Sequence, residues 1–303
     1  MTLYSTRDSN IRKTWVIFTL FLIVIIGIGW AFSYIYNNML ILYAAVLFSV
    51  LMNVIAYWNS DKIAMAIAGA HPATHENARE LFHVVENLSI TAGIQAPKIY
   101  IIDDPSPNAF ATGRNPKHAA VAVTTGLLER LDRSELEGVI AHELSHVKNY
   151  DTLLQTIVVV LVGFVAIISD IFTRSLWWGR RSSNDNRGNA VLMLVGVVLA
   201  ILAPIVATMI QLAISRKREF LADASGGLLT RYPEGLASAL EKIAAAPPLR
   251  RATNATAHLY IANPFKIDAP GTGGIRKTPW LAKLFMTHPP IEERIAALRQ
   301  TSK

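Results

Sequence analysis

Four long apolar runs constrain what this chain can fold into more than any other feature. Trp15–Tyr36, Met39–Trp58 and Ala190–Ile214 contain no Asp, Glu, Lys or Arg, and Thr152–Phe172 contains only Asp170. A helix of about 20 mostly apolar residues spans a bilayer, and buried core helices rarely stay uncharged for so long. Each run is therefore a candidate membrane span. The first is too long for the apolar segment of a signal peptide and no small-residue cleavage site follows it, so it reads as a retained anchor. Hydrophobic residues make up 52% of the 303, against 17% charged, which excludes a disordered chain. Cysteine is absent. Disulfides, a thiol nucleophile and cysteine-held metal are thereby excluded, and any metal must be bound by His, Asp or Glu.

Charge placement sets the orientation. Arg7, Arg12 and Lys13 precede the first run, and only Asn37-Asn38 separate it from the second. Positive charge stays inside, which predicts a cytoplasmic N-terminus and a tight hairpin of two spans over residues 1–58. Residues 59–151 and 215–303 are rich in Lys and Arg and are expected to be cytoplasmic; residues 152–214 form a second hairpin between them. Its loop carries Arg174, Arg180, Arg181 and Arg187, a local conflict with the rule that the basic residues of the two cytoplasmic segments outweigh. The net charge of +7 thus reads as topology and attraction to anionic lipid, not nucleic-acid binding.

Between the hairpins the pattern is mixed. Thr74–Leu88 has helical periodicity with Leu81, Val84, Val85 and Leu88 on one face. Lys98–Ile102, Asn108–Thr112 and Ala119–Thr124 read as extended segments, with a short helix from Thr125 to Leu131. Ser134 to Glu137 has the spacing of a capping box opening another helix. That helix carries His142-Glu143-Leu144-Ser145-His146. Positions i and i+4 share a helix face, so both imidazoles can address one ion, while Glu143 can reach a water bound to it. Zinc acidifies such a water and a neighbouring carboxylate takes its proton as it attacks a carbonyl.

A catalytic zinc site takes three protein ligands and keeps one position open. Glu219 and Asp223, again i and i+4, follow the last apolar run. Glu219 is the candidate third ligand, and Asp223 the acceptor for the free N–H of a liganding histidine. The same residues could instead form a charge ladder with Arg216 and Lys217. If His142 and Glu219 hold one ion, an even number of spans must separate them, and two do. The short distances from His146 to Thr152 and from Ile214 to Glu219 put the ion on the order of 10 Å from the membrane surface at 1.5 Å per helical residue. A catalytically dead scaffold would have no need of Glu143. A metal transporter would place ionisable ligands inside its spans, and here they lie outside.

Nearly the whole chain resembles the HtpX-like membrane zinc metalloproteases, relatives of the CAAX prenyl proteases. The resemblance rests on Asn108–Gly113, His142–His146, Glu219–Asp223 and Thr287-His288-Pro289-Pro290 in that order. It implies an α+β fold: four transmembrane helices plus a gluzincin-like, mostly helical cytoplasmic domain with a small β-sheet. It further implies one Zn2+ per subunit and a multi-pass protein of the bacterial inner membrane. That protein would cleave misfolded or damaged membrane proteins at the cytoplasmic face, in quality control and stress response. Polypeptides and the bilayer are then the expected partners. Asn108, Ala109 and Phe110 would lie on an edge strand to which a peptide substrate adds as a further strand. His288 would be the histidine that donates to the developing oxyanion, although Pro at the first turn of a following helix also explains its setting.

Overall fold

The computed structural model describes residues 3–179, 209, 215–250, 256–264 and 289–301. Helices α1 (Leu3–Tyr36) and α2 (Met39–Ala68) are long and apolar enough to cross a membrane. Asparagine makes their tight connection possible. Asn37 adopts φ 48, a left-handed conformation that Asn tolerates, and the Asn38 side chain accepts the Leu40 N–H at the start of α2. Trp15, Leu40, Tyr43 and Leu47 point outward and exposed, as lipid-facing side chains do. Asn53, polar within the second run, donates to the Phe18 carbonyl at 3.2 Å and so links the two helices.

The third apolar run lies in α6 (Asp151–Gly179), which follows α5 (Arg133–Lys148) across a bend of 84°. Among the described residues two helices pass as membrane spans, or three if this bent pair counts as one. Apart from Met209, the fourth run lies outside the described residues.

Strands β1 (Ala70–Pro72), β2 (Lys98–Ile102), β3 (Ala109–Gly113) and β4 (Ala119–Thr124) form one sheet in the order β1-β2-β4-β3. β2 and β4 are parallel and the two outer pairs antiparallel. Both faces of β3 and β4 are covered, so these two strands lack the alternation that a half-exposed strand shows. Ile101, Ala111, Val121 and Val123 pack with Val84 and Val85 of α3 (Arg79–Ala92) and with Val139, Ile140 and Leu144 of α5. Ile102, Phe110 and Ala122 pack with Ala64, Met65 and Ala68 at the end of α2 and with Val159 of α6. The sheet therefore joins the ends of the membrane helices to the helix that carries the two histidines. Helices α4 (Thr125–Arg130), α7 (Arg216–Thr230), α8 (Pro233–Ala245) and α9 (Ile291–Thr301) complete the described structure.

Two sequence expectations shift. The first helix of this part begins at Arg79, not Thr74, because residues 74–77 close a turn in which Asn77 Oδ1 accepts the Thr74 N–H at 2.9 Å. The cap of α5 is Asp132, not Ser134. Asp132 Oδ1 accepts the Glu135 N–H at 3.0 Å, and Glu135 Oε2 accepts the Asp132 N–H at 2.9 Å. Ser134 only donates its hydroxyl to Asp132, at 2.7 Å.

Candidate metal centre

Helix α7 approaches α5 closely at Gly226, where a Cβ would stand 3.0 Å from the His142 backbone nitrogen. This approach brings Glu219 and Asp223 against the histidine face of α5. His142 Nε2 and His146 Nε2 are 3.1 Å apart. Glu219 Oε1 lies 3.6 Å from His146 Nε2, and Glu219 Oε2 lies 3.8 Å from His142 Nε2. Ligands about 2.0–2.1 Å from a tetrahedral ion stand roughly 3.4 Å from one another, so these separations fit one small divalent cation.

The other ring nitrogens are already committed. His142 Nδ1 is 2.9 Å from Asp223 Oδ1, and His146 Nδ1 is 2.9 Å from Asp151 Oδ2. Each carboxylate accepts an N–H and fixes the tautomer whose Nε2 lone pair faces the shared point. The chemistry of the donor set thus suits a metal ion, held by His142, His146 and Glu219.

Glu143 lies beside this point, 2% exposed, and its Oε1 makes no hydrogen bond among the described residues. Burial, reinforced by the Glu219 charge, pushes its pKa up to about 7 against the opposing pull of His146 and the Ala111 backbone. That range suits a group that must both take and return a proton. Burial drives the His142 pKa down to about 4, against its hydrogen bond to Asp223. Burial also works downward on His146, but Asp151 and Glu219 outweigh it and hold the ring up at about 9. For Asp223, burial works upward, and Arg294 and His142 overcome it to leave the carboxyl at about 2.

Three contributors to the site escape the sequence reading. Arg294 of α9 is fully buried; it forks onto Asp223 and donates through Nη1 to the Ile261 carbonyl at 2.7 Å. Its signal was available: it takes a position next to Ile291, Ile295 and Leu298 on the apolar face of an amphipathic helix. Asp151, at the start of α6, is the partner of His146. The third contributor is the segment 256–264, whose His258–Ala262 stretch is buried.

The strand residues split. Thr124 N–H donates to the Asn108 carbonyl, so in an antiparallel ladder residues 108, 110 and 112 face β4 while 109 and 111 present their backbone groups to the open side. Ala109 is at that edge, where its carbonyl accepts the Ile261 N–H at 2.9 Å. Asn108 donates its side-chain amide to the Ala262 carbonyl at 3.1 Å. Phe110 does not fit the expected substrate-binding role: its backbone belongs to the β3–β4 ladder, and its ring is fully buried against Tyr260. Ala111 replaces it at the edge. His288 lies outside the described residues.

Comparisons with known proteins show the family. A sequence model of peptidase family M48 matches residues 75–302. A protease HtpX homolog of Caldanaerobacter subterraneus subsp. tengcongensis is 47% identical, with 98% of this chain and 97% of the relative covered. One from Dictyoglomus thermophilum is 48% identical, with 98% and 94% covered. The crystal structure of S. mikatae Ste24p is similar in fold, with a TM-score of 0.52 at 21% identity, covering 94% of this chain and 66% of that one. With two histidines, a glutamate and an adjacent carboxylate arranged to serve a metal, this chain belongs to peptidase family M48, among its HtpX-like membrane metalloproteases.

Proposed function

We propose that the protein is a zinc endopeptidase held in the bacterial inner membrane by four spans, with its site on the cytoplasmic side, and that it cleaves misfolded or damaged membrane proteins. Two hairpins, 1–58 and 152–214, would flank and interrupt a catalytic domain made from 59–151 and 215–303. The observation that carries the reading is the convergence of His142 Nε2, His146 Nε2 and the Glu219 carboxylate, with each Nδ1 tied to a carboxylate. Zinc is favoured over magnesium or calcium because two of the three donors are imidazoles. When bound, it would polarise the scissile carbonyl and acidify the attacking water.

Glu143 takes the proton of that water as the new C–O bond forms. It delivers the proton to the departing amine as the C–N bond breaks. An extended peptide pairs with the outward backbone groups of Ala109 and Ala111, giving affinity with little sequence preference. That mode suits unfolded segments. His288, a few residues before the helix that brings in Arg294, is the proposed donor to the oxyanion. A contact supports this substrate class: Asn10 of α1 reaches Asp151 beside the site, as expected of a site near the membrane surface that meets exposed loops of other membrane proteins.

The test uses the detergent-solubilised protein with an unfolded polypeptide such as casein. Hydrolysis should stop on chelation and return with zinc. Glu143→Gln should retain one zinc per chain and lose hydrolysis. Loss of zinc in that variant would make Glu143 a ligand, and cleavage that survives chelation would refute the metal mechanism.

A further inference from the structure

Beside the metal centre lies a buried polar cluster that draws on three distant parts of the chain. Asn10 is on α1, Asp151 opens α6 and Arg218 is on α7. Asn10 Nδ2 donates to Asp151 Oδ1 at 2.6 Å and to the Asn149 carbonyl at 3.1 Å. Asn10 Oδ1 accepts from Arg218 Nη1 at 3.1 Å, and Arg218 Nε is 3.2 Å from the same Asp151 Oδ1. The other oxygen, Asp151 Oδ2, faces His146 Nδ1 at 2.9 Å. All of these side chains are buried, Asn10 to 1% exposure.

We propose that Asn10, on the first membrane helix, is a positioning residue for the metal ligand His146 and acts on it through Asp151. The inference rests on the proposed zinc site and adds to it a control from the membrane anchor. Asparagine suits the position because one amide donates to a carboxylate and a carbonyl while accepting from a guanidinium. It adds no charge to a pair, Asp151 and Arg218, that is already balanced.

Asn149 caps α5 and Asp151 begins α6, so Asn10 holds both sides of the bend between the histidine helix and the membrane helix. Tyr150 at the bend has φ 59, a left-handed conformation that a tyrosine keeps only when its surroundings hold it there. Without the Asn10 amide, Asp151 Oδ1 loses one of the two partners it has among the described residues, and the carboxylate is no longer locked in the plane that suits His146. Partners of liganding histidines typically matter 10–100-fold in metal affinity. Asn10 acts one bond further out, so its loss should weaken affinity about tenfold, with all three ligands intact.

The test measures metal affinity of the full-length protein in detergent by chelator competition, using Zn2+, and records the visible spectrum of the Co2+ form. Asn10→Ala should bind Zn2+ about tenfold more weakly and shift the Co2+ bands, with KM for casein unchanged. In an Asp151→Asn background the same substitution should have almost no further effect, since both act through one carboxylate. Asn10→Ser keeps a donor for Asp151 but not for Asn149 and should fall between. It also serves if Asn10→Ala fails to insert in the membrane. Wild-type affinity and spectrum in whichever Asn10 variants fold, or losses that simply add to those of Asp151→Asn, would overturn the inference. Failure of the wild-type protein itself to bind Zn2+ or Co2+ stoichiometrically would instead overturn the zinc reading.

Discussion

Arg294 grips Asp223 with both arms of its guanidinium, Nε to Oδ2 at 2.9 Å and Nη2 to Oδ1 at 2.7 Å. Asp223 in turn faces His142 Nδ1, so a helix near the C-terminus reaches the proposed ligand His142 through one carboxylate. Arg294→Met should leave a buried charge unbalanced, a loss of about 3–5 kcal/mol when one partner of a buried pair is removed. Thermal unfolding should show a large drop. Adding Asp223→Asn should recover part of it, because the orphaned charge is gone. A loss no bigger than that of a surface arginine would mean that Asp223 does not depend on Arg294.

Asp223 itself should matter to the metal as well as to the fold, because it faces His142 while it balances the buried Arg294. Asp223→Asn alone keeps a group that can accept from Nδ1 but lacks the charge. Zinc affinity should fall by roughly 10–100-fold, measured by chelator competition, while His142, His146 and Glu219 continue to ligate. An unchanged affinity would leave Asp223 as no more than a partner for Arg294.

What could be read in advance followed from local spacing. His142, Glu143 and His146 lie within one turn of a single helix, and Glu219 and Asp223 repeat the i, i+4 interval, so the geometry of one helix face was enough. The first two membrane helices were legible because lipid tolerates almost no charge. The unread parts depend on pairings with no local period: Asn10 with Arg218, Arg294 with Asp223, Ile261 with Ala109. A buried arginine and a solvated one look alike as letters, and only the apolar company of Arg294 on its helix distinguished it. The α5 cap was misplaced because Ser134 and Asp132 both stand three residues before a glutamate, and only the folded backbone selects between them.

The corrected cap can be tested directly. Asp132→Ala removes the side chain that accepts the Glu135 N–H and should cost about 1 kcal/mol, as N-cap losses do. It should also loosen Glu135, which meanwhile holds Lys242 of α8 at 2.6 Å. Ser134→Ala should cost only a few tenths, as an exposed side-chain hydrogen bond does. Equal losses in the two variants, read from thermal unfolding, would restore Ser134 as the cap.

The proposed topology requires the loop between the last two apolar runs to lie across the membrane from the metal centre, its four arginines notwithstanding. Because the chain has no cysteine, single substitutions report on this cleanly. A membrane-impermeant thiol reagent applied outside intact cells should label Ser183→Cys but not Glu86→Cys or Glu241→Cys, at positions exposed on the catalytic part. Labelling of Ser183→Cys and Glu86→Cys from the same side would remove the two-span hairpin between His146 and Glu219.

The edge of β3 has an occupant within the chain. Ile261 N–H donates to the outward Ala109 carbonyl, Arg294 holds the Ile261 carbonyl and Asn108 holds that of Ala262. A substrate strand pairing at Ala109 must displace the first of these bonds, so segment and substrate compete for one acceptor. Ile261→Pro deletes that N–H and little else of the apolar surface. A net backbone hydrogen bond contributes about 1 kcal/mol, so kcat/KM for casein should rise about fivefold, mainly through KM. Ile261→Val, which keeps the N–H, should leave it unchanged. If Ile261→Pro folds, binds zinc as the wild type does and shows no gain, substrates do not enter by adding a strand at Ala109.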